Sequence, residues 1–260
     1  MGEPKLLLFA AALAACACGR GPAGTEEVPR ASPLNVEPPA SATDELRPSR
    51  PGRPVTAALD ALPWEERIAL EQALAASDAR YAPRMDETGP VLDAPGSVVA
   101  TFAATGAHFS FGGHETTLRV ASIGRGDSLR PLPAGSTPEV VGAEVRTARG
   151  PGVIEWWRSL PSGLEHGVTL AERPAGEGEL VVDLEVRGDL EPRSTGDGSV
   201  ALTVGRVAVA TYAHLVVLDA AGAAVPARLL VRGGRIVIAV EDGSARYPLA
   251  IDPHLAVVEE

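Results

Sequence analysis

Cysteine is nearly absent from this sequence, and the position of the two that occur limits the chemistry available. Cys16 and Cys18 both lie near the N-terminus, and no cysteine follows them in the 260 residues. The remainder of the chain therefore has no disulfide, thiolate metal site or cysteine nucleophile. Aromatic residues are also few, at 4% of the chain. A hydrophobic core must consequently rest mainly on Val, Leu, Ile and Ala.

Basic residues are outnumbered, with 23 Lys and Arg against 34 Asp and Glu, and the formal net charge is −11. Binding to a nucleic-acid backbone requires a basic surface, so this balance argues against nucleic acid as a partner. The hydrophobic content of 45% is that of an ordinary globular protein. The length suits one fair-sized domain or two small ones.

Long apolar runs are limited to one, at residues 6–15. It is too short to span a bilayer, which takes about 20 residues, and it fits the apolar region of a secretory signal. The run ends in LAAC at residues 13–16, which resembles the lipobox of bacterial lipoproteins. That resemblance implies cleavage before Cys16 and lipid attachment to its thiol. The alternative is an ordinary secretory signal that is cut near Ala17 or Gly19.

We therefore expect residues 1–15 to be a lipoprotein signal peptide and the protein to be bound to a membrane through its N-terminal lipid. The residue after Cys16 is Ala17 rather than Asp, and by resemblance to enteric lipoproteins this implies the outer membrane. Residues 16–58 are rich in Pro, Ser and Glu and have no apolar period. Such a segment buries too little apolar surface to fold, so it is predicted to be a disordered tether.

Residues 59–89 are predicted to be a helix and a connection, packed on the domain that follows. Pro63 suits the first position of a helix. Trp64 with Ile68, and Leu70 with Leu74, are four residues apart and predict an apolar stripe that faces the domain.

Residues 90–255 predict a β-rich domain, because short alternating runs are broken by Gly, Pro and Asp. Gly233 and Gly234 separate two β-branched runs, which indicates a two-residue hairpin turn. Roughly ten short strands without βαβ alternation favour antiparallel sheets, either a β-sandwich or an open barrel. The fold class is thus mainly β with one N-terminal helix. The lack of a close internal repeat argues against a propeller or solenoid within the chain.

A tight turn is predicted inside WWRSLPSGLEHGVTLAERPAG, residues 156–176. Pro161 supplies the fixed φ that suits the second position of a turn, and Gly163 closes it. If Ser159 pairs with Leu164, the register of the whole hairpin follows.

This register places Trp157 opposite His166 on the buried face, with one ring nitrogen of the histidine satisfied by backbone or water. It places Arg158 opposite Glu165 as an exposed ion pair. Neighbours on a strand point to opposite faces, so Glu165 and His166 do not form a catalytic dyad. We assign the hairpin residues structural roles and predict no catalytic residue.

No other motif predicts chemistry, and we expect neither a bound metal nor a cofactor. His108, His114 and Glu115 lack the spacing of a zinc site. The sequence has no Gly-x-Ser-x-Gly elbow and no phosphate-binding loop. The leading interpretation is a structural or protein-interaction domain rather than an enzyme. The alternatives are a hydrolase with dispersed His, Asp and Glu, and a carbohydrate- or cell-wall-binding module that uses exposed aromatics such as Trp156.

Several stretches resemble a domain of exported proteins from myxobacteria and related bacteria, where it commonly precedes FG-GAP (integrin-like) β-propeller repeats. The matching stretches are EQALAASDARYAPR (71–84), VIEWWRSLPSGLEHGVTLAERPAG (153–176), ELVVDLEVRGDLEPR (179–193) and residues 215–253. The resemblance implies a β-rich envelope domain with a protein partner, and it brings no catalytic residue. In that arrangement the repeats would begin near Glu260, so we expect a stand-alone form or a truncated or split gene.

Overall fold

The computed structural model describes residues 62–94, 98–111 and 113–258. Within these residues the chain forms one α-helix, α1 (Trp64–Ser77), one 3₁₀ turn (Ala79–Tyr81) and 17 β-strands. The predicted fold class is confirmed as mainly β, with antiparallel sheets and one N-terminal helix. The expected number of roughly ten strands was too low, because tight turns divide the longer β-branched runs.

Nine strands form sheet A, in the order β1-β2-β3-β4-β5-β11-β16-β15, with β6 also paired to β5. All of its pairings are antiparallel. Its strands are β1 (Arg84–Met85), β2 (Pro90–Ala94), β3 (Val98–Ala103), β4 (Gly106–Phe111), β5 (His114–Arg125), β6 (Ser128–Pro131), β11 (Leu180–Gly188), β15 (Ala227–Arg232) and β16 (Arg235–Val240).

Eight strands form sheet B, in the order β12-β13-β14-β17-β10-β9-β8-β7, and they too are antiparallel. Its strands are β7 (Glu139–Val141), β8 (Glu144–Gly150), β9 (Val153–Leu160), β10 (Gly163–Leu170), β12 (Glu191–Ser194), β13 (Val200–Val204), β14 (Val207–Leu218) and β17 (Leu249–Val257).

The predicted hairpin at Gly233 and Gly234 joins β15 to β16, with Arg232 opposite Arg235. Both glycines have positive φ, 56° and 73°. A two-residue turn of this kind matches the right-handed twist of the strands it joins, which is why glycine is favoured at both positions.

One hydrophobic core lies between the two sheets, and side chains from both contribute to it. Trp157 of sheet B lies against Phe102 and Phe109 of sheet A, with ring centroids 6.1 and 5.3 Å apart. Ser159 Oγ donates a hydrogen bond of 2.6 Å to the carbonyl of Asp93 in β2. The two sheets therefore form a β-sandwich with continuous packing between them.

Helix α1 does not pack in the way that its sequence predicts. Leu70 is 43% exposed, whereas Glu71 is fully buried and is the most buried residue of the helix. The predicted apolar stripe with Leu70 is therefore wrong. The prediction failed because the helix packs on the outward face of sheet B, which is polar. Among the described residues, no helix has the length and apolar character needed to cross a membrane.

Candidate functional site beneath helix α1

The hairpin formed by β9 and β10 has the predicted register. Ser159 lies opposite Leu164, and the loop between the strands is the two residues Pro161 and Ser162. Gly163 has a φ of +147°, and a Cβ at this position would lie 2.2 Å from the carbonyl oxygen of Leu255. Glycine is therefore required where β10 leaves the turn beside β17.

The inward face of the hairpin carries the predicted pair, Trp157 opposite His166. The two rings are stacked, with centroids 3.9 Å apart, and both residues are buried. The expectation that backbone or water satisfies one ring nitrogen was wrong. His166 Nδ1 lies 2.5 Å from the hydroxyl of Tyr212, and Nε2 lies 3.1 Å from Oε1 of Glu155. Glu155 precedes Trp157 by two residues on β9 and therefore shares its face.

Arg149 completes this group, which we call the interior network (Arg149, Glu155, His166 and Tyr212). Its Nε donates to Glu155 over 2.5 Å, and its Nη1 donates to the carbonyl of Ala104 over 2.7 Å. Burial raises the pKa of Glu155, but the hydrogen bond from His166 and the charge of Arg149 outweigh it and hold that pKa below its usual value. Burial raises the pKa of Tyr212 well above its usual value. Every member is enclosed between the sheets, so the network offers no surface to a ligand.

The outward face of the hairpin carries Arg158 opposite Glu165, and their charged atoms are 2.7 Å apart. The expectation of an exposed pair was wrong, because Glu165 is only 1% exposed. Helix α1 covers it, and Nε2 of Gln72 donates to Glu165 Oε1 over 2.7 Å. Arg158 also contacts Glu144 of β8 over 2.5 Å. The pair is thus part of a larger ionic group beneath the helix.

Asp252 of β17 is a third carboxyl on this face of sheet B. It lies two residues before His254, which is opposite Glu165, so Asp252 and Glu165 share the outward face. Burial, followed by the charge and hydrogen bond of Glu165, raises the pKa of Asp252 to about 9. The Asp252 carboxyl therefore keeps its proton at neutral pH, as a largely buried carboxyl beside another acidic side chain does.

A second group lies beside the first, where Glu71 projects from α1 onto the β9–β10 turn. Glu71 accepts hydrogen bonds from Arg67 Nε over 2.7 Å, from the backbone N–H of Ser162 over 3.2 Å and from Ser162 Oγ. Ser162 Oγ also lies 3.1 Å from His254 Nε2. Burial, with a smaller effect of His214, lowers the pKa of His254 to about 3, so its ring is neutral at pH 7.

The N-terminal end of α1 is anchored by aromatic contacts. Trp64 stacks on His214 with centroids 3.8 Å apart and an interplanar angle of 8°, and its ring lies 5.1 Å from that of His254. His214 occupies an irregularity in the pairing of β14 with β17 and has a φ of +53°. This conformation is costly for a residue other than glycine and persists where surrounding contacts hold it. The stacked Trp64 is one such contact.

Ser162, His254 and Glu71 have the composition of a nucleophilic triad but not its connectivity. In a triad the carboxylate orients the histidine, whereas here it contacts the serine. A histidine with a pKa of about 3 is also a weak base near neutral pH. The arrangement is suited to holding a helix on a sheet rather than to activating a hydroxyl. Sequence spacing could not reveal it, because Ser162 lies 91 residues from Glu71 and 92 from His254.

Trp156, which the sequence suggested as an exposed aromatic, is half-buried. Its indole lies against Gly167, since a Cβ there would be 1.8 Å from the ring. The guanidinium carbon of Arg158 is 5.5 Å from the ring centroid, and Nε1 donates to Thr169 over 3.2 Å. These contacts occupy the ring and leave it poorly placed as a platform for a sugar.

The remaining sites proposed from sequence are placed as follows. His108 is bonded to the hydroxyl of Thr117 over 2.9 Å within sheet A. In the part of the chain that the structure describes, no group of three or more His, Cys, Asp or Glu side chains is arranged to hold a metal ion. Cys16 and the predicted tether lie outside the described residues.

Comparisons with protein-family models, with curated proteins and with solved structures gave no match to this chain. The resemblance to the domain that precedes FG-GAP repeats therefore stays a prediction.

Proposed function

We propose that this protein is a lipid-anchored component of the cell envelope, most simply of the outer membrane. Its β-sandwich serves as an extracytoplasmic structural or protein-interaction module. The observation that carries the proposal is the apolar run at residues 6–15 that ends at Cys16. The polar segment up to residue 58 separates that cysteine from the sandwich and supports a tethered arrangement.

The contacts of the ionisable side chains support a non-catalytic role. Glu165 and His166, which are the most suggestive pair in the sequence, point to opposite sides of sheet B. His166 is enclosed in the interior network, and Glu165 is engaged by Arg158 and Gln72. A partner is proposed to be another envelope protein, since the net charge of −11 disfavours nucleic acid.

The anchoring proposal is tested by Cys16→Ser, with Cys18→Ser as the matched control. We expect labelled palmitate to enter the wild type and Cys18→Ser and to be absent from Cys16→Ser. We also expect Cys16→Ser to leave the membrane pellet or to remain uncleaved, because stable anchoring requires the acyl chains. Circular dichroism of the purified variants should be that of the wild type, since the strands of the sandwich come from residues 84–257.

Equal incorporation of palmitate into Cys16→Ser and wild type would contradict lipidation at this residue. Loss of label in Cys18→Ser alone would move the anchor to Cys18. Absence of label from all three proteins, with a mature N-terminus near Ala17 or Gly19, would establish an ordinary secretory signal instead.

A further inference from the structure

Strand β5 of sheet A has two partners along the edge that faces away from β11. Strand β4 pairs with this edge as far as Leu118, and β6 pairs with it from Ser122 onward. On the other edge of β5, a β-bulge at Ala121 shifts the register with β11. Bulges redirect nearby side chains and are frequent next to binding sites. Between β4 and β6 the outward face of sheet A therefore departs from a flat strand surface.

The chain segment 132–135 crosses this interval and forms one wall of a cavity. The N–H of Leu132 donates to the carbonyl of Ala121 over 2.8 Å, and the N–H of Gly135 donates to the carbonyl of Ala104 over 2.8 Å. The cavity has a volume of about 330 Å³, and its other walls come from the turn between β3 and β4 and from β4, β5 and β11. That volume lies at the lower end of the range for ligand pockets, so it suits a small molecule.

The charged groups in and beside the cavity carry more positive than negative charge. Glu185 accepts hydrogen bonds of 2.8 Å from both Arg119 and Arg187. Burial raises the pKa of Glu185, but the hydrogen bonds from Arg187 and Arg119 outweigh it, so the carboxylate is ionised at neutral pH. Arg235 of β16 contacts Asp183 over 2.7 Å and Glu185 over 3.3 Å. Three guanidiniums thus meet two carboxylates, in a chain whose formal net charge is −11.

Arg187 has hydrogen-bond donors left for a ligand. Its Nη2 donates to Glu185, and its side chain is 70% exposed. A guanidinium carries five N–H donors, and two of them on one edge match the two oxygens of a carboxylate. The surplus cation is therefore presented to the cavity by a side chain that can bind an anion in a defined geometry.

Hydroxyl and imidazole groups line the same cavity. His108 of β4, Thr117 of β5 and Arg187 of β11 occupy one cross-strand row. Thr117 Oγ1 lies 2.9 Å from His108 Nδ1, and Thr105 Oγ1 lies 3.4 Å from His108 Nε2. Each threonine hydroxyl both donates and accepts, so it can bind a hydroxyl group of a ligand. A ligand that fits this lining has hydroxyl groups as well as a negative charge.

The charge balance distinguishes a carboxylate from a phosphate. A carboxylate carries one negative charge and neutralises the surplus of one cation. A phosphate monoester carries about −1.5 to −2 charge at neutral pH. It would bring an uncompensated negative charge close to Glu185 and Asp183, which is unfavourable where water is partly excluded. A carboxylate is therefore the better match.

We propose that this cavity binds a small hydroxylated carboxylate of the sugar-acid class. Arg119 and Arg187 bind the carboxylate, and Thr105, His108 and Thr117 bind the hydroxyl groups. The ligand is either a free sugar acid or the acidic residue of a polysaccharide, which share this chemistry. The proposal does not depend on lipid anchoring, so the failure of either leaves the other standing.

Isothermal titration calorimetry of the full-length protein tests the site with D-glucuronate and D-galacturonate. We expect saturable binding of at least one of these sugar acids. D-glucose and D-galactose should bind at least about tenfold more weakly, because they lack the carboxylate that forms charge-assisted hydrogen bonds. Acetate, which lacks the hydroxyl groups, and D-glucose 6-phosphate, which carries more charge, should also bind more weakly.

Trigalacturonate distinguishes the two sources of the ligand. Tighter binding of the trimer than of galacturonate would indicate a polysaccharide, whereas equal or weaker binding would indicate a free sugar acid. Either result, together with binding of the monomer, supports the cavity as a sugar-acid site.

Arg187→Gln tests the role of the surplus cation, with Arg193→Gln as its matched control. Arg193 of sheet B is also exposed, and it contacts Glu191, two residues before it, as Arg187 contacts Glu185. We expect Arg187→Gln to weaken binding of the sugar acid by at least about tenfold, since it removes a charged donor. Arg193→Gln should bind as the wild type does.

Ala134→Phe tests the cavity itself without a change of charge. Ala134 lines the cavity and is exposed, so a larger side chain fills the space that the ligand needs. Thr137→Phe is the matched control, because Thr137 is exposed in the same connection but does not line the cavity. We expect loss of binding in Ala134→Phe and wild-type binding in Thr137→Phe.

Four outcomes would overturn the proposal. In the first, neither sugar acid binds. In the second, D-glucose 6-phosphate binds more tightly than both, which would make the cavity a phosphate site. In the third, Arg187→Gln and Arg193→Gln bind alike. In the fourth, Ala134→Phe binds as the wild type does, which would place the ligand elsewhere. The two tests act on charge and on volume, so either remains decisive if circular dichroism shows that the other variant is unfolded.

Discussion

Two buried polar networks in this molecule contain the same kinds of side chain but lie in different surroundings. The interior network joins Arg149, Glu155, His166 and Tyr212 between the two sheets. The group beneath α1, which we call the helix network, joins Glu71, Ser162, His254, Glu165 and Asp252 on the outer face of sheet B. Both are rich in carboxyl and imidazole groups, and both contain buried members. They differ in what covers them.

The interior network is covered on every side by strands of the sandwich, and its carboxylate is compensated by a guanidinium over 2.5 Å. Its charges cannot reach water unless the sandwich opens. The helix network is covered by one short helix, and it keeps Asp252 and His254 in neutral forms rather than compensating them. The contribution of a buried polar group to stability therefore depends on the elements that shield it from water as much as on its hydrogen bonds.

The largest expected effect is a loss of stability from a substitution beside the interior network. Trp157→Ala should lower the free energy of unfolding by roughly 3–5 kcal/mol, the range for a buried large aromatic, since it removes the ring that packs between Phe109 and His166. Urea denaturation of the purified protein measures the change. Trp156→Ala is the matched control and should cost less, because Trp156 is half-buried on the outer face. A larger loss for Trp156→Ala would show that the outer face, rather than the interior, dominates stability.

An intermediate effect is expected in the helix network. Glu165→Ala should cost about 1–3 kcal/mol, because it leaves Gln72 without its acceptor beneath the helix and leaves Arg158 with Glu144 as its remaining partner. The same denaturation experiment measures it, and Glu172→Ala, at an exposed position, should be close to neutral. If the two substitutions cost the same, α1 does not cover Glu165 in solution and the pair is an ordinary surface ion pair.

The smallest expected effect is the change in the free energy of unfolding for each pH unit. The raised pKa of Asp252 means that its stabilising contribution is complete below 3.8 and is lost as pH rises to about 9. The lowered pKa of His254 means that its contribution is complete above 6.5 and is lost as pH falls to about 3. Between pH 3.8 and 6.5 the two slopes oppose each other. Above pH 6.5 stability should fall by at most about 1.4 kcal/mol for each pH unit.

Denaturation midpoints recorded from pH 5 to pH 9 measure this slope, and Asp252→Asn should flatten it above pH 6.5. A wild-type curve that is equally flat would mean that Asp252 is already ionised in the folded protein. In that case the helix network would resemble the interior one, with its charges compensated rather than suppressed.

The sequence predicts well where short-range rules decide. The register of the β9–β10 hairpin follows from Pro161, Gly163 and the alternation of faces along a strand, and the structure has that register. The turn at Gly233 and Gly234 follows from the preference of two-residue hairpins for positive φ. In both cases the residues that determine the geometry lie within a few positions of one another.

The prediction for α1 failed because it assumed an apolar receiving surface. The spacing of Trp64, Ile68, Leu70 and Leu74 leads to a buried apolar stripe only if the helix packs against a hydrophobic surface. The surface that α1 actually contacts is the outward face of β9, β10, β14 and β17, and its polar residues come from distant parts of the chain. The exposed character assigned to Glu165 failed for the same reason, since nothing near it in sequence reveals the helix above it.

Local features followed from the sequence alone. They are the strand pattern, the tight turns, the position of Trp157 opposite His166, and the placement of Glu165 and His166 on opposite faces of their strand. These depend on backbone geometry over a few residues, which the side chains impose directly. The tertiary structure alone decided which polar groups meet: His166 with Glu155 and Tyr212, and Glu71 with Ser162 and His254. Sheet order and the position of α1 bring these groups together, and burial then raises the pKa of Tyr212 and lowers that of His254, which no local pattern encodes.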